Sequence, residues 1–421
     1  MTTRYSFVTG LECDRCRARF APTDALNLCP ACSGLLEYTY DLQGIAGELS
    51  PRVFAGRTKT IWRWHELLPL VEPRWIVSLG EGGTPLVPSV YAGPRLGLDR
   101  LYFKNDGVMP TGSFKDRGFS LAVSCARGLG VRHGLTYTSG NAGASFAAYA
   151  QRGGIDAVVL VEFTANRAKA AAIRLYGVPV GVLHFHGMEE ITTMLETAVR
   201  EIGLYQFVNF INPVRHEAMK SYAYEIAEEL RWMAPDVMIH PVGTGGGIWG
   251  AWKGFRELET LGWVRGVPRM VAVQPQASGH IPEAFRRGAR RAERYGDSNA
   301  TIAQSISADA PIQGGERVLS AVYDSGGWAD GVSDSEILEA MRWLGREGIS
   351  AEPAAAAPLA ALKRAVTQGL VDPDWTVVCV VTGSGLKQPA ALSKAAARPR
   401  WHLNADFSEL RTLLESAWSK D

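Results

Sequence analysis

The sequence has little net charge and no long apolar run. Its 421 residues carry a formal net charge of +1 at pH 7, so no strong electrostatic field favours nucleic acid or an anionic membrane as a partner. No apolar stretch reaches the roughly 20 residues that span a bilayer, and the first residues lack the apolar core of a secretion signal. We therefore expect a cytoplasmic protein that binds neither nucleic acid nor a membrane.

Cysteine is scarce, with six residues in the chain. In a reducing compartment, cysteines serve as thiols or metal ligands more often than as disulfides. Four of them form two Cys-x-x-Cys pairs, Cys13 with Cys16 and Cys29 with Cys32, which is the spacing of a zinc ribbon. Four thiolates leave no open position on the metal, so the sequence predicts a structural zinc site. The alternative is four unrelated thiols.

The most informative stretch runs from Pro110 to Gly118 and reads PTGSFKDRG. It is a turn-forming segment that opens onto a helix, with Ser113 as the expected N-cap and Asp116 in the first turn. Lys115 should then lie where backbone N–H groups have no helical acceptor. A lysine amine backed by apolar packing can lose its proton and attack a carbonyl. The alternative is an exposed lysine in a first turn.

Three segments rich in Gly, Ser or Thr follow, each after an apolar run: TSGNAGAS at 138–145, PVGTGGG at 241–247 and VTGSGLK at 381–387. In this order behind the lysine motif, they resemble the loops of the pyridoxal-phosphate (PLP) enzymes of fold type II. Within that group the resemblance is closest to the threonine synthases, and it extends from about residue 80 to residue 387. It implies an α/β protein of two three-layer αβα domains, with a small N-terminal zinc ribbon in addition.

The alternation of helix-like and strand-like stretches after the lysine motif agrees with parallel sheets flanked by helices. We expect one long helix over Arg215–Trp232, and the apolar spacing near the C-terminus predicts a helix that docks on the body. The expected division is a zinc-ribbon-like head of residues 1–45, a large PLP domain of residues 46–117 and 213–395, a small αβ domain of residues 118–212, and a helical tail of residues 396–421.

The resemblance assigns residues to each part of the cofactor. Lys115 would bond to the aldehyde, Asn141 would donate to the phenolic oxygen, and Thr382 would face the pyridine nitrogen. Phe114 would pack beside the lysine. A glycine-rich loop at a helix start suits a phosphate dianion, and the residues assigned to it are Gly243, Thr244, Gly245, Gly246 and Gly247. Each assignment has an alternative when taken alone: the glycine loop could be a flexible strand–helix turn, Asn141 a turn residue, and Thr382 a threonine that ends a strand.

Substrate residues are fewer. Thr111, Ser113 and Ser139 lie beside the cofactor residues and could hold an amino-acid carboxylate. Arg215 matches a position whose arginine binds the substrate phosphate in threonine synthases, and bidentate hydrogen bonding would suit that role. The alternative for Arg215 is a surface arginine.

The resemblance implies a PLP-dependent lyase that acts on a small amino acid, and we expect a homodimer. O-Phosphohomoserine would become threonine and phosphate by γ-elimination and β-addition of water. Two alternatives stay open: a paralogue that carries out β-replacement or β-elimination on another amino acid such as O-phosphoserine, as cysteate synthase does, and a zinc-ribbon interaction protein on an inactive scaffold. Phe210 and Ala142 stand where threonine synthases often have hydroxyl residues, so we expect weakened use of O-phosphohomoserine or a different leaving group.

Overall fold

The structure is a computed structural model that describes residues 4–138, 140–162, 167–184, 188–297, 300–308, 310–397 and 402–418. The strands are β1 (Val8–Cys13), β2 (Arg19–Phe20), β3 (Leu36–Tyr40), β4 (Leu86–Pro88), β5 (Leu101–Asn105), β6 (His133–Thr138), β7 (Asp156–Glu162), β8 (Val180–Leu183), β9 (Tyr205–Gln206), β10 (Val237–Pro241), β11 (Arg269–Pro275), β12 (Ala329–Val332) and β13 (Val377–Val381).

The α-helices are α1 (Leu42–Glu48), α2 (Ala92–Leu96), α3 (Lys115–Gly128), α4 (Asn141–Gly153), α5 (Arg167–Leu175), α6 (Met188–Ile202), α7 (Pro213–Glu217), α8 (Ser221–Glu229), α9 (Gly246–Thr260), α10 (His280–Arg286), α11 (Glu316–Asp324), α12 (Asp334–Arg346), α13 (Pro353–Thr367), α14 (Pro389–Ala395) and α15 (Phe407–Trp418). Within the described ranges, no helix is long and apolar enough to span a bilayer.

The first sheet forms the N-terminal head, with antiparallel strands in the order β2-β1-β3. Each Cys-x-x-Cys pair is followed by a residue in the left-handed region, Arg17 at φ 61° and Ser33 at φ 56°. These two tight turns bring the four cysteines together. Leu11, Leu36 and Tyr38 of the head are buried in a core shared with α3 and α4, so the head packs against the body.

The largest sheet has the order β12-β11-β10-β13-β5-β4, and its neighbours are parallel except for the antiparallel β4–β5 pair. Its central strands are buried on both faces, which explains why they read as continuous apolar runs. In β13, Val378 and Val380 face one core, whereas Val377, Cys379 and Val381 face the other. This alternation follows from the two-residue period of a strand.

A four-stranded parallel sheet, in the order β8-β7-β6-β9, is inserted in sequence between β5 and β10. In β7, Val159 and Val161 are buried while Val158 remains exposed, so one face of this sheet is covered more fully than the other. Helices lie between the strands of both mainly parallel sheets in the chain, and this is the α/β arrangement that the sequence predicted.

Two local predictions were wrong. Ser113 does not cap α3: the N-cap residue is Phe114 and makes no side-chain cap, because Ser113 is drawn into a backbone bridge with Gly383. The single helix expected over Arg215–Trp232 is divided into α7, a 3-10 turn at Ala218–Lys220 and α8. It also ends earlier than expected, because Arg231 and Trp232 adopt left-handed φ angles of 58° and 62°.

The docking predicted for the C-terminal helix is also not borne out. The helix α15 forms, but none of its described residues is buried. Phe407 is 75% exposed and Trp418 is 72% exposed. The apolar spacing therefore predicted the helix correctly, whereas none of its described apolar side chains is fully buried and only Leu413 and Leu414 are partly covered.

A buried charge cluster fixes α3 to the large sheet. Arg117 donates to both oxygens of Asp106 at 2.8 and 2.9 Å and to both oxygens of Glu225, and all three residues are buried. Lys104 adds a second contact to Glu225 at 2.9 Å. Burial raises the pKa of Glu225, but Arg117 and Lys104 outweigh it and lower that pKa to about 2.

We predict that Arg117→Met lowers the free energy of unfolding by about 3–5 kcal/mol at pH 7, because it leaves buried carboxylates without their cation. The pKa of Glu225 lies below its ordinary value of 4.5. The stabilisation that the charged Glu225 gives to the folded state is therefore fully present above pH 4.5 and is lost as pH falls toward 2. Denaturant titrations should show the gap between the variant and the wild type narrowing below about pH 4.5.

The control is Arg4→Met, which removes a partly exposed pair with Asp41 at 3.3 Å and should cost less than about 1 kcal/mol. Equal losses for the two variants would contradict the prediction.

Candidate active site

Lys115 is the first residue of α3, and the turn before it is tied to the loop after β13. Phe114 N donates to Thr382 O at 2.9 Å, and Ser384 N donates to Gly112 O at 2.9 Å. Lys387 Nζ donates to Thr111 O at 2.7 Å. The structure thus brings together the predicted lysine and the predicted pyridine-facing Thr382, which lie 267 positions apart in the sequence.

The protein around Lys115 favours its neutral amine. The residue keeps part of its surface exposed, but desolvation lowers its pKa to about 7. Arg215 and Lys169 act in the same direction, whereas Glu352 opposes them. Its Nζ also lies 4.2 Å from the centre of the Phe114 ring. Near neutral pH, this lysine can therefore act as a nucleophile or accept a proton.

The glycine loop lies beside this lysine at the start of α9. Gly245 has φ 95°, and a Cβ on it would lie 2.0 Å from Val318 Cγ2. A Cβ on Gly247 would lie 3.5 Å from the Phe114 ring, which places the loop against the lysine turn. Asn209 Nδ2 donates to Thr244 Oγ1 in the same loop. The first amides of a helix have no helical acceptor, so this close-fitting loop can bind a phosphate.

Asn141 begins α4 and is buried. Its Nδ2 donates to Glu352 Oε1 at 2.6 Å and lies 3.3 Å from Ser305 Oγ, while its Oδ1 has no partner. Lys169 Nζ contacts the same two residues. The sequence reasoning missed Ser305, Glu352 and Lys169. A usable signal was present at Glu352, an acidic residue directly before the proline that starts an Ala-rich helix.

Arg215 is a buried cation with little compensation. It is 2% exposed, its Nη1 donates to Phe207 O at 2.9 Å, and its guanidinium lies 4.1 Å from the centre of the Phe119 ring. Its Nε has no partner, and no carboxylate of the described residues lies within 4.0 Å of it. Burial lowers its pKa to about 9. The surface-arginine alternative is therefore wrong.

The predicted carboxylate-binding residues differ in their surroundings. Thr111 donates from both N and Oγ1 to Asp116, at 2.7 and 2.6 Å. Burial raises the pKa of Asp116 to about 6, although hydrogen bonds from Ser145 and Thr111 oppose the rise. Ser113 Oγ is buried without a partner and is free to bind a ligand. Ser139 lies outside the described residues.

These residues fit PLP as a group. Buried polar atoms without partners occur at Ser113, Asn141 and Arg215, around a lysine whose amine is readily deprotonated. Lys115 would hold the aldehyde, the loop from Gly243 to Gly247 would hold the phosphate, and Thr382, 4% exposed, would face the ring nitrogen. The loop glycines are required because protein side chains approach the backbone closely, as Val318 does at Gly245 and Asn209 at Gly246; the anion would bind to the free amides at the helix start.

Phe210 lies on the head side of the glycine loop. It is buried at a left-handed φ of 62°, and its ring centre is 5.6 Å from that of His216. Together with Trp249 and Arg317, it lines a cavity of about 340 Å³ between the head and the body.

The four cysteines of the head form one cluster. Their sulfur atoms all lie within 4.8 Å of one another, with Cys13 Sγ 3.5 Å from Cys32 Sγ and Cys16 Sγ 3.6 Å from Cys29 Sγ. Tetrahedral zinc with bonds of about 2.3 Å separates its sulfurs by about 3.8 Å. A Cβ on Gly34 would lie 2.7 Å from Cys13 Sγ, so only glycine fits here. The thiols thus suit a closed structural zinc site.

Comparisons with known proteins show what this chain is similar to. Residues 77–383 match the family described as pyridoxal-phosphate dependent enzyme. The threonine synthase of Methanocaldococcus jannaschii is 38% identical over 407 residues, which cover 96% of this chain and 99% of the relative. That of Methanosarcina acetivorans is 35% identical over 392 residues, covering 92% and 95%.

Solved structures support the fold alone. Threonine deaminase isoform 2 from Solanum lycopersicum has a TM-score of 0.61 at 20% identity, over 82% of this chain and 90% of that one. Maize serine racemase has a TM-score of 0.61 at 20% identity, over 74% and 91%. The fold is that of the fold type II PLP enzymes.

We predict that borohydride reduction of the PLP-loaded protein fixes the pyridoxyl group to Lys115, because its amine has a pKa near 7. Peptide mapping would locate the label. Lys104 is paired with Glu225 at 2.9 Å, and Lys387 donates to Thr111, so neither should react. A label on either of those lysines would overturn the assignment.

We predict that Cys13→Ser lowers the zinc content and the melting temperature while the PLP absorbance stays near normal, because the cluster is closed and lies in the head. Cys125→Ala is the control: this buried thiol lies outside the cluster, so its loss should leave the zinc content unchanged. Metal analysis and thermal melts measure both. Loss of turnover by Cys13→Ser with fold and cofactor intact would instead indicate a catalytic metal.

Proposed function

The chain belongs to the pyridoxal-phosphate dependent enzymes, and we propose that within this family it is a threonine synthase. Its substrate would be O-phosphohomoserine, and its products would be threonine and phosphate. The proposal is supported by the curated threonine synthases, which match nearly the whole chain. We propose zinc as the ligand of the head and the division into head, large domain, small domain and tail given above. The homodimer and the cytoplasmic location stay predictions.

One observation carries the choice of a phosphorylated substrate: Arg215 is a buried guanidinium without a carboxylate among the described residues, close enough to Lys115 to lower the pKa of its amine. A buried charge is costly unless it is paired. An anionic group of the substrate would supply that pair. The predicted position of Arg215, at the distal end of the substrate, suits a phosphate held by bidentate hydrogen bonds.

Each residue would then have a defined task. PLP, when bound, supplies an electron sink for charge at the α-carbon. Lys115, with a pKa near 7, would take the α-proton and then a proton from the β-carbon, as general bases of matched pKa do. Ser113 Oγ would donate to the substrate carboxylate. Arg215 would hold the phosphate as it leaves from the γ-carbon.

A second candidate is an enzyme for a different amino acid such as O-phosphoserine. It is favoured by Phe210 and Ala142, because neither side chain can donate a hydrogen bond to a phosphate on the γ-carbon, whereas the phosphate of O-phosphoserine is on the β-carbon and would lie elsewhere. Each missing charge-assisted hydrogen bond would cost roughly 1.5–3 kcal/mol, so two would weaken binding by on the order of a hundredfold or more. Arg215 is then the main donor in the predicted set.

We predict that O-phosphohomoserine gives a higher kcat/KM than O-phosphoserine or unphosphorylated homoserine, measured by product formation. Arg215→Met should lower that value by on the order of a hundredfold, because it removes a charge-assisted donor worth about 3 kcal/mol. Arg215→Lys should retain part of it, since a lysine contacts phosphate as a point charge.

The matched control is a homoserine ester with an uncharged leaving group, assayed well above the pKa of Lys115 so that the effect of Arg215 on that amine is small; Arg215→Met should lower its rate much less than that of O-phosphohomoserine. An equal loss with both substrates would mean that Arg215 acts only through the fold or through the Lys115 amine. A preference for O-phosphoserine would favour the second candidate.

A further inference from the structure

Four polar side chains from four separate elements meet beside Lys115. Asn141 begins α4, Lys169 lies in α5, Ser305 lies in the 3-10 turn Gln304–Ile306, and Glu352 immediately precedes α13. Glu352 Oε1 accepts from Asn141 Nδ2 at 2.6 Å, and Glu352 Oε2 accepts from Lys169 Nζ at 3.0 Å. Lys169 Nζ also donates to Ser305 Oγ at 2.8 Å. Glu352 is thus the centre of the cluster.

The cluster is buried and its charges balance internally. Glu352 is 1% exposed and Lys169 is 2% exposed. Placing such a pair in the interior is costly unless the geometry is good and further hydrogen bonds complete it. Here both carboxylate oxygens are used and the ammonium has a second acceptor. A pair of this kind contributes little to stability compared with apolar packing, so its position at the site calls for another role.

The cluster joins the two sheets where the cofactor residues meet. Asn141 and Lys169 lie in helices beside the four-stranded sheet, whereas Glu352 N donates to Gly383 O at 3.1 Å in the loop after β13. A Cβ on Gly383 would lie 2.7 Å from Glu352 Oε1, and one on Gly140 would lie 2.4 Å from Lys169 Cδ. Gly383 follows Thr382 and Gly140 precedes Asn141, and both of these neighbours are predicted cofactor residues. The ion pair therefore connects the loop after β13 with the helices beside the four-stranded sheet, across the site.

We propose that Glu352 is a positioning residue for the cofactor site: it orients the Asn141 amide and holds Lys169. These contacts keep α4 and α5 at a fixed distance from the loop after β13, on either side of Lys115. The inference rests on the family and its cofactor and is independent of the proposed reaction. Asn141 would be held in one rotamer by its bond to a charged acceptor. Glu352 would also balance the cations around the reactive amine.

The charges that bear on Lys115 give this role a measurable consequence. They are Arg215 from α7, Lys169 from α5 and Glu352 before α13. Arg215 and Lys169 lower the pKa of the Lys115 amine, and Glu352 raises it. Removing the charge of Glu352 and removing that of Lys169 should therefore move the Lys115 pKa in opposite directions. An ion pair distant from Lys115 has no such signature, and the binding of PLP distinguishes a positioning role from support of the fold alone.

The test compares Glu352→Gln, Lys169→Met and Lys169→Arg in the full chain. In protein freed of PLP, the pH midpoint of Lys115 acetylation is followed by peptide mapping. From about 7, it should fall by roughly one unit in Glu352→Gln and rise by roughly one unit in Lys169→Met, the size of effect that a nearby charge has. Lys169→Arg should restore the wild-type midpoint.

The second readout is the dissociation constant of PLP, followed by absorbance. Glu352→Gln and Lys169→Met should each weaken PLP binding by roughly tenfold, the effect of one charge-assisted hydrogen bond. The control is Glu228→Gln, which breaks a partly buried pair with Arg63 at 2.8 Å and should change neither readout.

Shifts of the Lys115 midpoint in the same direction for both variants would overturn the proposal, as would unchanged PLP binding. If Glu352→Gln does not fold, as judged by circular dichroism, the two Lys169 variants decide the outcome. A Lys115 midpoint that does not rise in Lys169→Met, or PLP binding that Lys169→Met leaves unchanged, would then overturn the proposal. Neither readout needs an amino-acid substrate. A failure of O-phosphohomoserine turnover would therefore refute the proposed reaction and leave this inference standing.

Discussion

The site depends on the attachment of the lysine turn to the loop after β13. Backbone hydrogen bonds join Phe114 N to Thr382 O and Ser384 N to Gly112 O. They fix the start of α3 against a strand that is buried on both faces, so Lys115 has little freedom to move. Because the carboxyl ends of parallel strands meet at one edge, the loop after β10 reaches the same place. The remaining site residues are arranged around this junction.

Charge is distributed unequally around that junction. Arg117, two residues after Lys115 in α3, is fully compensated by Asp106 and Glu225. Arg215, by contrast, has no carboxylate partner in the described ranges. The two buried arginines therefore have different consequences. The first contributes rigidity, since every donor is satisfied. The second leaves a positive field at the lysine, which favours a neutral amine and an anionic ligand at the same position.

The positions of residues that lie in recognisable local motifs could be predicted from the sequence. Lys115 and the glycine loop follow strands, and the resemblance to the fold type II PLP enzymes implied that they would lie at one site; their roles in cofactor binding stay predictions. Glu352 and Lys169 could not be found in this way, because they are 183 positions apart and meet only when α5 approaches α13. The cap predicted at Ser113 failed for a related reason: a long-range bridge to Gly383 overrode a local preference.

The head contributes to the site through the helix that carries Arg215. Tyr40 Oη donates to Glu217 at 2.8 Å, and Lys253 Nζ contacts both Glu217 and Tyr38 O. Burial raises the pKa of Glu217, but Lys220 and Lys253 lower it to about 2, so the carboxylate stays charged and the contact persists across the physiological range. Since Glu217 lies two residues after Arg215, the folded head holds α7 in place. The head can thus support the site through β3, whose Tyr38 and Tyr40 contact the residues that hold α7.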